Sequence, residues 1–176
     1  MAAFSLTICC QVAYMTACCQ FASVLGKAAV DRRKNEKLSR LVWDILQMSN
    51  RLVEAGNRLS APFGLTAARW QVMGVIVHDP ATVADVARRL SQTRQNVQRL
   101  ADEMVRLGLA AYHPNPRHAR AKLLAPTPQG ADAYRLLMKA QAKWIEALST
   151  TIPAEDIAPT RSLLEALGSA LERSGD

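Results

Sequence analysis

The chain has 176 residues, 49% hydrophobic and 21% charged, a balance that excludes a disordered polar chain and allows one ordinary core. Its net charge of +7 suits a polyanionic partner without identifying one, because a basic soluble protein of any function carries the same sum. Aromatic residues are only 5%, so Leu, Val, Ala and Met must fill the interior.

Residues 1–26 carry no charged side chain, and Phe4, Leu6, Ile8, Val12, Phe21 and Leu25 make them apolar. Three readings stand side by side. The stretch is a membrane-inserting or secretory segment, an extra helix on the core, or an extension outside the folded protein. The first meets two objections: no basic n-region precedes the apolar run, and Thr, Gln, Ser and Cys dilute it. Cys9, Cys10, Cys18 and Cys19 all fall here and none follows. That crowding excludes a disulfide framework and fits a reducing, cytoplasmic setting. The four thiols are either small apolar side chains or, if exposed, oxidant-sensitive ones. Lys27, Arg32, Arg33, Lys34, Lys37 and Arg40 then make a basic run, a solvated face or a phosphate contact. Residues 1–35 are therefore set apart as an extension, and 36–176 as the folded domain.

Leu38, Leu41, Val42, Ile45, Leu52 and Leu59 recur at helical spacing, which predicts a long amphipathic helix over 36–60. Pro62 and Gly64 end it. Thr66 caps a second helix over 67–77, with Trp70, Val72, Met73 and Ile76 inward. Thr82 caps a third, short helix, with Asp85 where a capping box has Glu or Gln. After the tight Ser91-Gln92 turn, Thr93 caps a fourth helix that runs to about Leu107 and stops at Gly108. Its apolar face is Val97, Leu100, Ala101, Met104 and Val105. Residues 109–113 and 121–125 read as two strands of a hairpin with a long Pro-rich tip. Pro128 opens a fifth helix, and 154–173 form a sixth.

Two short helices about a three- to four-residue turn, followed by a hairpin, make a winged helix-turn-helix in a mainly α fold. With Val97 inward, Gln95, Gln98, Arg99 and Asp102 point outward, and Arg94 and Asn96 flank them in the first turn behind the cap Thr93. Arg, Gln and Asn are the side chains whose paired groups match guanine and adenine edges. They fill the N-terminal half of the helix, the half that enters a groove. The hairpin tip adds Arg117, His118 and Arg120, with Lys122 on the returning strand, placed to meet phosphates or the narrow minor groove. From Thr82 to Lys122 there are eight Lys and Arg against three Asp and Glu, so much of the excess charge lies here. The sequence has no nucleophile elbow, phosphate-binding loop or paired-carboxylate pattern, and no zinc-ligand spacing. It predicts a non-enzyme without cofactor or metal, a DNA-binding regulator or, as the alternative, a winged-helix protein-interaction module that does not bind DNA.

The series Leu65-Thr66 with Trp70, Thr82 to Leu90, Thr93 to Leu100, Gly108-Leu109, Arg120 to Leu124 and Thr127-Pro-Gln-Gly130 resembles the MarR family of bacterial transcription regulators. The resemblance covers roughly 36–173. It implies a cytoplasmic homodimer whose first and last helices, 36–60 and 128–173, interlock and carry a DNA-binding lobe over 66–130. It also implies binding to an inverted repeat of double-stranded DNA, usually repression, and release by a small aromatic or phenolic effector. Such an effector would sit among Trp43, Arg69, Trp70, Met73 and His78, which are equally readable as core and hinge residues. Two positions depart from the family pattern. His118 stands where an Asp commonly braces the wing, and Pro126 where a Leu precedes Thr-x-x-Gly. His118 is a passive exposed side chain or a pH-sensitive contact.

Overall fold

The computed structural model describes the backbone of residues 5–118 and 120–174, and the side-chain surroundings of 31–118 and 120–173. Phe4 and Ala119 lie outside the described residues, as do the side chains of Cys9, Cys10, Cys18 and Cys19. Contacts divide the chain into two units, 1–52 and 53–176. The boundary falls within the first helix, α1 (Ser5–Ser60).

In the first unit, the helix expected from residue 36 begins at Ser5. No proline interrupts residues 5–60, and the Arg32–Glu36 pair at 3.3 Å spans one turn inside the basic run. Leu38, Val42 and Leu52, expected on the apolar stripe, are exposed, as are their neighbours Leu46 and Trp43, the latter by 61%.

In the second unit, four threonines set where helices begin. Thr66, Thr82, Thr93 and Thr127 each accept the backbone N–H three residues on, from Arg69, Asp85, Asn96 and Gly130. Each satisfies one of the orphan donors of a first helical turn. They open α2 (Ala67–Ile76), α3 (Val83–Arg89), α4 (Arg94–Arg106) and α5 (Pro128–Ser149). The third cap differs from a capping box. Asp85 is too short to reach back to the cap backbone; its Oδ2 takes the Thr82 hydroxyl instead, at 2.7 Å.

The hairpin is part of a three-stranded antiparallel sheet. A two-residue strand, β1 (Ala81–Thr82), joins β2 (Ala110–His113) and β3 (Leu123–Pro126) in the order β1-β3-β2. Two residues have no period to read, so the sequence shows only the helix cap there. Thr82 serves twice, pairing with Leu123 and capping α3. The returning strand starts two residues later than expected and includes Pro126, opposite Ala110. A proline is tolerated at this point because β1 pairs only with Leu123 and Leu124, leaving no ladder on the far side of Pro126.

The core lies between α2, α3, α4, the sheet and the start of α5. Val72, Met73, Val86, Val97, Met104 and Leu137 have no exposed surface. α4 ends as the sequence predicts: Gly108 takes φ +71°, a left-handed turn that a side chain would strain. Gly130 answers a different need. A Cβ there would lie 1.8 Å from the Leu109 carbonyl oxygen, so α5 crosses the start of β2 backbone against backbone. The closing helix α6 (Ala154–Ser174) shows Ile157, Leu163 and Leu164 to solvent, as α5 shows Ile145 and Leu148. Among the described residues, no helix is long and apolar enough to cross a membrane.

Candidate nucleic-acid interface

α4 turns Val97, Leu100, Ala101 and Met104 into the core, which leaves one outward row along the helix. Arg94, Gln95, Gln98, Arg99 and Asp102 are exposed on it. A shallow surface groove of about 510 Å³ follows Gln95, Gln98, Arg99, Asp102, Glu103 and Arg106. Thr93 is exposed, and its hydroxyl is committed to the helix cap. Asn96 is only half-exposed. Its amide nitrogen donates to Gln92 Oε1 at 2.8 Å and its oxygen accepts from Arg99 at 3.1 Å.

The outward polar groups are held by one another. Arg99 donates to Glu103 Oε1 at 2.6 Å, and Arg69 of α2 donates to Glu103 Oε2 at 3.1 Å. The bonds from Arg69, with the nearby Arg99 charge, hold the Glu103 carboxyl below its usual range against the opposing effect of burial. Gln98 Nε2 donates to Asp102 Oδ1 at 2.9 Å and to Tyr112 Oη at 2.8 Å. Tyr112 in turn donates to Asp102 Oδ1 at 2.8 Å. Burial, reinforced by the bond to Asp102, pushes the Tyr112 phenol up to about 12.

Arg117, His118, Arg120 and Lys122 are all exposed on the segment joining β2 to β3. Asn115 folds the tip: its Oδ1 accepts from the Arg117 N–H at 2.9 Å, and its carbonyl from the His118 N–H at 3.2 Å. Arg94, Arg117, Arg120 and Lys122 make no ion pair among the described residues. Wing and helix meet across a groove of about 380 Å³, lined by Gln98, Tyr112, Arg120, Lys122 and the 82–84 turn. The structure thus brings Gln98 together with two wing cations.

The five residues considered for an effector are divided between the two units. Trp43 lies in the first. In the second, Arg69 is bonded to Glu103, Trp70 is half-buried, Met73 is sealed in the core and His78 is exposed beyond α2. Among the described residues, no group of His, Cys, Asp and Glu is arranged to hold a metal ion.

The sequence reading missed Tyr112 and the Arg69–Glu103–Arg99 chain. The i,i+4 spacing of Gln98 with Asp102 and of Arg99 with Glu103 is visible in the sequence. Their third partners, on β2 and α2, depend on tertiary packing and leave no local signal.

A family model described as MarR family matches residues 63–121. An uncharacterized protein of Mycobacterium tuberculosis is 32% identical over 138 residues, 78% of this chain and 96% of its own length. The transcriptional activatory protein BadR of Rhodopseudomonas palustris is 33% identical over 108 residues, 59% of this chain and 62% of its own. Among solved structures, the M. tuberculosis transcriptional regulator MosR in complex with DNA matches with a TM-score of 0.65 at 23% identity. That match covers 75% of this chain and 96% of MosR.

Proposed function

The chain belongs to the MarR family of transcription regulators, and from that premise we propose that it binds duplex DNA as a homodimer, with α4 in the major groove and the wing in the flanking minor groove. The observation that carries this reading is the exposed row of Arg94, Gln95, Gln98 and Arg99, from which Gln98 shares one groove with the wing cations Arg120 and Lys122. Arg on that row offers paired donors and Gln a donor beside an acceptor, the groups that guanine and adenine edges require. Thr93 and Asn96 set the geometry of the first turn. Arg117, His118, Arg120 and Lys122 supply the positive field that follows the backbone into a narrow groove.

The homodimer rests on the apolar surface that the chain leaves uncovered. Leu136, Ile145, Leu148, Ile157, Leu163 and Leu164 are exposed on α5 and α6, and a comparable row is exposed on α1. Exposed apolar area of this extent is costly in water and is removed by a second copy. A two-fold dimer would contact two inverted half-sites about one DNA turn, about 34–36 Å, apart. We further propose that the protein represses and is released by a small aromatic or phenolic effector. The activatory name of BadR favours activation as the second reading, and a reporter fusion to the bound promoter separates the two.

A gel shift and footprint on the DNA flanking its own gene test the DNA reading. Arg94→Ala or Gln98→Ala is expected to relax base preference at a cost of about 1–3 kcal/mol. Arg120→Ala is expected to weaken binding evenly across sequences and to reduce the salt slope by about one unit. Equal binding of the footprinted site by wild type and by the Arg94/Gln98 double variant would show that α4 does not read it.

A further inference from the structure

An acidic side chain on a helix that meets DNA ordinarily counts against binding, because it repels phosphates. Glu103 borders the outward groove of α4 and is set apart by what it touches. Its two oxygens serve two different guanidinium groups. Oε2 accepts from Arg69 Nη2 at 3.1 Å and Oε1 from Arg99 Nη1 at 2.6 Å. The two pairs differ in depth. The Arg69 and Glu103 side chains are 20% and 23% exposed, whereas Arg99 is 60% exposed. The deeper pair, screened from water, ties α2 to α4, and Arg99 is the exposed partner that leans on it.

Arg99 is held from the preceding turn as well. Its Nη2 donates to Asn96 Oδ1 at 3.1 Å. A guanidinium accepts nothing, so Asn96 turns its oxygen to Arg99 and its nitrogen to Gln92 Oε1, at 2.8 Å. Gln92 donates in turn to Gln71 Oε1 at 3.3 Å. The chain of side chains starts at Arg69 and returns at Gln71, both on α2, with Arg99 between. An unheld arginine loses rotamer freedom when it contacts DNA, and one already held by Asn96 and Glu103 loses less. The Glu103 carboxyl, held below its usual range, stays ionised at neutral pH. Two guanidinium groups outnumber it, so the cluster as a whole stays positive.

We propose that Glu103 is a positioning residue that, anchored by Arg69, holds Arg99 as α4 uses it on its specific site, so that this carboxylate raises affinity for that site. Coulomb repulsion alone gives the opposite sign. Asn96 acts on Arg99 in the same way from the turn before. This inference rests on the DNA-binding reading above.

The test uses the full-length protein, the footprinted duplex and a random-sequence duplex of equal length, all at one salt concentration. Glu103→Gln removes one negative charge with little change of shape. It is expected to weaken binding to the footprinted duplex about tenfold and to strengthen binding to the random one. In an Arg99→Ala background the same substitution is expected to leave the ratio between the duplexes unchanged, because its effect passes through Arg99. Glu103→Gln also takes the carboxylate from Arg69, whose Nε is buried with no hydrogen-bond partner among the described residues. The Arg69→Gln/Glu103→Gln protein, with two amides in place of the ion pair, repeats the measurement if the single variant does not fold, and the same fall in ratio is expected. A rise in affinity for both duplexes by one factor would mean that the carboxylate acts by repulsion alone, and overturns the proposal. So does a loss of the same size in the Arg99→Ala background, the mark of a merely structural role. If wild type protects no site, or binds the two duplexes equally, the DNA-reading function fails and takes this inference with it. If wild type prefers the footprinted duplex and Glu103→Gln keeps the wild-type ratio, only this inference fails.

Discussion

The lobe of α2, α3, α4 and the sheet, and the helix α6, draw on the same apolar residue types and use them in opposite ways. In the lobe Val72, Met73, Ile76, Val86, Val97 and Met104 are completely buried. In α6 Leu163 is 50% exposed and Ile157 55%. The lobe is closed by its own chain, its helix starts are capped, and Gln98, Arg99, Asp102 and Glu103 on its outward row are paired. α6 has helical periodicity, yet Ile157, Leu163 and Leu164 stay exposed on it. Periodicity alone therefore does not tell an inward stripe from one that waits for a second molecule. The difference lies in whether other elements of the same unit arrive to cover it.

Gly130→Ala attacks the lobe where it has no slack. The added methyl would collide with the Leu109 carbonyl, and we expect a loss of about 4 kcal/mol in denaturant unfolding. A variant as stable as wild type would mean that α5 does not cross β2 as described. Met73→Ala should cost about 3 kcal/mol, the transfer of a large side chain plus the cavity it leaves. Leu163→Glu in α6 should change the unfolding of the lobe by about 0.5 kcal/mol or less, while sedimentation should show a monomer in place of the proposed dimer. If it unfolds the lobe as Met73→Ala does, the contrast between the two regions disappears.

Acid and alkali sharpen the same contrast, because the shifted groups among the described residues belong to the lobe. The Thr82 hydroxyl bond and the Arg88 guanidinium hold the Asp85 carboxyl low, and Arg69 does the same for Glu103. Both carboxyls bind protons less readily folded than unfolded. Their contribution is complete above the ordinary carboxylate range and is lost as pH falls through their lower folded values. Asp85→Asn should flatten that acid limb. Tyr112 goes the other way. Its contribution is complete below the ordinary tyrosine value and is lost as pH rises toward about 12. Phenolate absorbance should show one late-titrating tyrosine, absent in Tyr112→Phe. The smallest change is expected at Ser91, which holds φ 51° in the turn before α4. Ser91→Gly removes a left-handed penalty and adds unfolded-state freedom, a net gain of about 0.5 kcal/mol.

Most of the lobe was legible in the sequence because its signals are local. Thr66, Thr82, Thr93 and Thr127 mark helix starts by chemistry that acts three residues on, and Gly108 marks a helix end. The apolar spacing of α4 fixed its outward row before any packing was known. β1 was not legible, because its pairing partner lies some forty residues away and two residues make no pattern. The bonds joining Gln98, Asp102 and Tyr112 were hidden for the same reason: Asp102 is a helical neighbour, but Tyr112 reaches it only after β2 has folded against α4. In α1 the apolar stripe was visible and its exposure was not, since no local feature records what a face packs against.

The junction at Gly108, Leu109 and Gly130 has a consequence for leverage. The Thr127 hydroxyl donates to the Gly108 carbonyl at 2.6 Å, and the Thr127 N–H to the Leu109 carbonyl at 3.1 Å. The end of α4, the start of β2 and the start of α5 are thereby tied together by two hydrogen bonds. α5 extends 22 residues from that pin, a rod of about 33 Å. A pivot of about 5° at the joint would carry the far end of the rod about 3 Å, most of the width of a methyl group. The stiffness of three adjacent residues therefore sets the aim of everything that α5 carries.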